Sequence, residues 1–121
     1  MARVVALVPD LLFGSRLISM LEDAGHDVAL CSQEDETWSR AQDADALIVD
    51  LTTDEVDGAT LVDSMRAGGE LRGTGTLAFY SHVDTATRRR AEEVGFDLVV
   101  PRSRMAREGA ALVESVLGGA G

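Results

Sequence analysis

The chain contains no lysine; all 11 of its basic residues are arginine. No site that depends on a lysine ammonium can therefore be built from it. There is a single cysteine, Cys31, so no internal disulfide can form, which fits a reducing compartment. Long apolar runs are missing too, and none reaches the length of a membrane span. The apolar stretch after Met1-Ala2-Arg3 is too short for a signal peptide, and Pro9-Asp10 follows it instead of a small-residue cleavage site. A cytoplasmic protein with no membrane association is the expectation. Catalytic and nucleotide motifs are also lacking. No G-x-G-x-x-G follows the first apolar run, and there is no Walker P-loop and no G-x-S-x-G elbow. No cluster of histidine or cysteine has metal-ligand spacing.

What is present is a globular composition. The 121 residues, 45% of them hydrophobic, fit one domain spanning 1–121 with a core that needs no disulfide. The net charge of −10 is uneven: residues 1–65 hold 3 arginines against 14 acids, whereas residues 66–121 hold 8 against 7. The acidic half would repel phosphates, which argues against nucleic acid as a partner.

Five short apolar runs alternate with five helix-like stretches. The runs are Val4–Val8, Val28–Leu30, Ala46–Val49, Leu77–Tyr80 and Leu98–Val100. Continuous apolar runs without polar alternation suit a parallel sheet covered on both faces. After the first run, Phe13, Leu17, Met20, Leu21 and Ala24 fall on one face of a helix that Gly25 stops. Ser32 and Asp35 form a candidate capping box for a second helix, with Trp38 and Ala41 inward. A third helix runs from near Gly58 to Ala67, capped by Asp57 and burying Leu61 and Met65. Asp84 caps the fourth and Gly95 ends it. Ser103 caps the fifth, which buries Met105, Leu112, Val116 and Leu117, and residues 118–121 read as a frayed tail.

Strict strand–helix alternation predicts an α/β flavodoxin-like three-layer sandwich. Its five-stranded parallel sheet should have order 2-1-3-4-5, with five helices. That order places a crevice at the carboxyl ends of strands 1 and 3. Asp10, Asp50, Thr52, Tyr80, Ser81, His82 and Arg102 all fall at that end.

With the crevice placed, "ALIVDL" ending its strand at Asp50, followed by "TTDEVDG", resembles the third strand and following loop of response-regulator receiver domains of the CheY type. "SRLISMLEDAGHDV", "TLAFYSHVD", "RRRAEEVGFDLVV" and "PRS" resemble the other receiver segments in order, so the likeness covers nearly the whole chain. It implies that Asp50 stands at the phosphoacceptor position, Tyr80 or Ser81 at the switch-hydroxyl position, and Arg102 at the lysine position. It also implies a place in two-component signalling, with a sensor kinase or another signalling protein as partner. A homodimer through the face of helix 4, strand 5 and helix 5 is implied as well, near Arg88-Arg89-Arg90.

The departures from the pattern define an atypical receiver, a pseudo-receiver. Where the family carries two adjacent acids that hold magnesium, the chain has Val8 and Pro9, with Asp10 one residue late. Phosphoryl transfer to a carboxylate needs developing charge neutralised and groups held in line. Magnesium requires octahedral oxygen ligands, and Asp50 with Asp10 is a poor set. No cofactor is expected. Asp10 reads as a helix cap before a ligand, and "PDLLFGS" is too apolar to cradle a phosphate. A direct Arg102–Asp50 pair would substitute for metal and lysine together. The expected function is a stand-alone, non-catalytic signalling or protein-interaction module that is not efficiently phosphorylated. The alternatives are a working receiver phosphorylated on Asp50 and a small-ligand-binding domain of the same architecture.

Overall fold

A computed structural model describes residues 2–117; the expected tail at 118–121 lies outside the described residues. Five strands are present: β1 (Arg3–Leu7), β2 (Asp27–Cys31), β3 (Ala46–Asp50), β4 (Gly75–Tyr80) and β5 (Leu98–Pro101). They alternate with α1 (Leu11–Asp23), α2 (Glu34–Ala41), α3 (Gly58–Ala67), α4 (Thr85–Val94) and α5 (Arg102–Val116). All neighbouring strands pair in parallel, in the order β2-β1-β3-β4-β5. The predicted fold class is the observed one.

Side chains alternate across the strands and divide the core into two layers. Val4, Ala6, Ile48, Leu77 and Phe79 face α1 and α5, meeting Phe13, Leu17, Leu21, Met105, Leu112 and Val113. Val5, Leu7, Leu47, Val49 and Ala78 face the other helices, meeting Ala41, Leu61, Val62, Met65 and Ala91. β3 and β4 are buried along their whole length, which explains their unbroken apolar runs. Each large aliphatic side chain fully buried here stabilises the fold by roughly 1.5–3 kcal/mol.

The helix ends follow local chemistry, with two departures. Asp10, Asp57 and Asp84 cap α1, α3 and α4 through their carboxylates. Gly95 ends α4 in the left-handed conformation, and Gly25 takes a positive φ of 92° just after α1. The Ser32–Asp35 capping box does not form. Gln33 is the N-cap of α2 and makes no side-chain cap, and the Thr37 hydroxyl instead donates to the Gln33 carbonyl at 2.7 Å. Ser103 does not cap α5 either: Pro101 is the N-cap and Ser103 lies in the first turn. Ala24 is exposed, because α1 stops before its turn completes, while Trp38 and Leu117 are half-buried. α5 bends at Glu108, where Gly109 lets the helix close on Met20 and Leu17 of α1.

Between β1 and β3 the chain reverses its direction of travel across the sheet. The loops that follow these two strands therefore diverge, leaving a crevice at their carboxyl ends.

Candidate functional site

β3 delivers Asp50 to this crevice. The residue is only 2% exposed, and a carboxylate so placed requires hydrogen bonds to offset lost hydration. Thr52 supplies them: its backbone N–H donates to Asp50 Oδ1 at 2.8 Å and its hydroxyl donates to the same oxygen at 2.6 Å. This is a local Asx-type turn, which an Asp followed two residues later by Thr favours.

β1 brings no acid to the site. Val8 is fully buried, and its N–H donates to the Cys31 carbonyl at 3.0 Å, extending the pairing of β1 and β2. Pro9 then turns the chain toward α1. The Asp10 carboxylate is committed twice. Its Oδ1 accepts the N–H groups of Leu12 and Phe13 at 3.0 and 3.1 Å, and its Oδ2 lies 3.5 Å from Arg102 Nη2.

Arg102 is the first residue of α5 and Pro101 the last of β5. The arginine does not pair with Asp50, as the sequence suggested. It spreads its guanidinium over the Phe13 ring, 4.2 Å from the centroid, and meets Asp10. Starting one residue beyond the strand, its side chain reaches across to α1, while Asp50 is already engaged by Thr52.

These residues enclose an open cleft of about 570 Å³ lined by Asp10, Phe13, Thr52, Ser81, His82, Pro101 and Arg102, among others. Asp10, Thr52, Ser81, His82 and Arg102 are thus brought together, with Thr52 lining the cleft and Asp50 not among its lining residues. Tyr80 is buried in β4 and does not line the cleft, so the hydroxyl that faces it from this strand end is that of Ser81. The sequence reading missed Phe13 as the platform for Arg102. Its helical phase marked it only as core.

The resemblance of the β3 segment to receiver sequences raises the question of magnesium. Val8 and Pro9 offer no side-chain oxygen, both Asp10 oxygens are engaged, and Asp50 Oδ1 already accepts two hydrogen bonds. Among the described residues no three His, Cys, Asp or Glu side chains converge as a ligand group. The residues present do not fit an octahedral cation.

In a separate concavity, Asp57 caps α3 and also meets Arg90 of α4 at 3.3 Å; Arg90 bonds the Thr60 hydroxyl as well. Partial burial acts to raise the Asp57 pKa, but the Thr60 bonds and Arg90 outweigh it and hold the carboxyl below its ordinary value. The Asp84 carboxyl is likewise held low, by the hydroxyl and backbone N–H of Thr87.

No protein-family model and no curated protein matches the sequence. Solved structures do match in shape. The chain superposes on the chemotaxis response regulator CheY4 of Vibrio cholerae with a TM-score of 0.83 at 20% identity, covering 97% of this chain and 99% of that one. A putative response regulator from Chloroflexus aurantiacus gives 0.85 at 20% identity, covering 95% and 96%. The receiver domain of a sensor histidine kinase from Pseudomonas aeruginosa, whose structure has a magnesium ion coordinated in its active-site cleft, gives 0.81 at 16% identity, covering 97% and 98%. No helix among the described residues is long and apolar enough to cross a membrane. The order of the strands, the layering of the helices and these superpositions agree on one conclusion: the chain has the fold of response-regulator receiver domains.

Proposed function

We propose that the chain is a pseudo-receiver, a signalling module that works by binding a protein partner and not by phosphoryl transfer to Asp50. One observation carries this reading. Asp50 is buried and its Oδ1 holds both Thr52 donors, while the strand beside it ends in Val8 and Pro9 and the nearby Asp10 is spent on a helix cap and Arg102. A phosphoryl group arriving at Asp50 would meet no divalent ion and no lysine, and Arg102 points to Asp10. Its developing charge would go unneutralised. The partner is a protein, such as a sensor kinase or another signalling protein. The exposed Arg88 and Arg89 on α4 make the α4–β5–α5 face a second candidate contact, for a further copy of the chain.

The competing reading is a working receiver, favoured by the place of Asp50 at the end of β3. Incubation with a small-molecule phosphoryl donor and Mg²⁺, followed by intact-mass analysis, separates the two. The pseudo-receiver stays at its unmodified mass. A stoichiometric phosphoryl adduct that disappears in Asp50→Asn establishes the working receiver instead.

A further inference from the structure

A cavity of about 570 Å³ lies at the other end of the sheet from the crevice, where α3 ends and β4 and β5 begin. Arg66, Gly68, Gly69, Arg72 and Asp97 are among its lining residues. Arg66 is held by its Nη2, which donates to the Thr76 hydroxyl at 2.9 Å. The one carboxylate in ion-pair range of it is Asp97, whose Oδ2 stands 4.0 Å away, beyond hydrogen-bond distance. The buried Nε of Arg66 has no acceptor. Arg72 is exposed, and among the described residues no carboxylate comes within ion-pair range of it. Its Nη2 lies 3.9 Å from the place a Cβ would take at Gly69, a residue whose φ of 77° favours glycine.

The negative groups nearby are occupied or turned away. Asp97 Oδ2 already accepts the Thr76 N–H at 2.8 Å and the Thr76 hydroxyl at 3.2 Å, which ties the start of β5 to β4. Glu70 is not a lining residue, and its Oε2 is buried. The carbonyls of Ser64, Met65 and Arg66, where the α3 dipole is negative, accept the N–H groups of Gly68, Glu70 and Gly69. Two arginines therefore line a cavity whose one acid is engaged by its own strand.

We propose that this cavity binds the phosphate of a small phosphate monoester. Guanidinium forks match phosphate oxygens in pairs, and a doubly charged phosphate uses both arginines where a carboxylate needs one. The volume is that of a small-molecule site, and the bare backbone at Gly68 and Gly69 leaves room for the ligand beside Arg72. The site stands apart from Asp50 and does not depend on whether that residue is modified.

The test is an amide chemical-shift titration of the full chain at constant ionic strength with glycerol phosphate, inorganic phosphate and acetate. The expected result is saturable shifts at Gly68, Gly69, Arg72 and Asp97 with glycerol phosphate, and binding about tenfold weaker for acetate. Arg72→Gln should weaken glycerol phosphate by about tenfold. This side chain is exposed and unpaired among the described residues, so the thermal melt of the variant should match the parent. Arg89→Gln, on exposed α4 and outside the cavity lining, should bind as the parent does. Absence of saturable shifts, shifts on another face, equal binding of acetate, or equal weakening by Arg72→Gln and Arg89→Gln overturns the proposal. Binding of inorganic phosphate without glycerol phosphate overturns it too, since the site then takes only the free ion.

Discussion

The two walls of the crevice handle their polar groups differently. On the β3 wall an acid is kept and buried, and the cost of burial is offset by two short hydrogen bonds from Thr52. On the β1 wall the equivalent strand end is hydrocarbon: Val8 joins the core, Pro9 follows, and the nearest acid is turned aside to cap α1 and meet Arg102. The lesson is that two strand ends meeting at one crevice can treat an acid in opposite ways, one burying it on donors of its own loop and the other turning it outward onto a helix end and an arginine. Both bonds to Asp50 fall on Oδ1, and both come from Thr52. The same acid beside two others needs a cation, and the cation is what phosphoryl chemistry uses.

The contrast can be broken from its apolar side first. Val8→Asp places an unpaired carboxylate in the α1–α5 core layer beside Asp50. It should destabilise the fold by about 3 kcal/mol or more, measured by urea denaturation, and millimolar Mg²⁺ should recover part of that loss if the acids then share the ion. A variant as stable as the parent would mean that the β1 end is wetter than its burial indicates. A smaller effect is expected on the polar side. Thr52→Val removes the 2.6 Å hydroxyl bond and leaves Asp50 with one donor, at a cost of about 1–2 kcal/mol. If no loss is seen, water already solvates the carboxylate.

Asp10→Ala separates the two duties of that residue. Loss of the α1 cap should cost about 1 kcal/mol. Asp10→Asn keeps a capping oxygen and should cost less, although both variants release Arg102. If the two are equal, the Arg102 contact carries the effect and the cap does not. The smallest effect is at the solvent-facing acid Asp57. Its carboxyl is held below its unfolded value, so the Thr60 and Arg90 contacts contribute stability above the ordinary carboxylate pKa, near about 3.9, and lose it as pH falls through the lower folded value. Arg90→Ala should therefore cost under about 1 kcal/mol at neutral pH, with the difference from the parent vanishing at strong acid.

Much of the architecture was legible because it depends on periodicity. Runs such as Ala46–Val49 and Leu77–Tyr80 are unbroken because both faces of their strands are covered, and Asp10, Asp57 and Asp84 read as caps because a short acid before a helix has little else to bond. Ser32, Asp35 and Ser103 misled for the same local reason. Capping depends on where the chain enters the helix, and β2 and β5 each end so that the neighbouring residue, Gln33 or Pro101, takes the N-cap place. The end of strand 3 was also legible, but the partner of its acid was not. The Asp50–Thr52 spacing carried the signal for a local turn, whereas the predicted Arg102–Asp50 pair required knowing the direction of a long side chain from another element. That direction is set by the Phe13 ring, which no pattern within α5 reveals.

The central claim is that the carboxylate closing β3 is held through Oδ1 by its own chain and has no divalent ion to share. Titration of the full chain with Mn²⁺, followed by paramagnetic broadening of backbone amides, tests this most directly. The account predicts no selective loss of the Asp50, Leu51 and Thr52 signals at ion concentrations that saturate ordinary receiver sites. Selective broadening of those amides together with that of Asp10, abolished by Asp50→Asn, would contradict it.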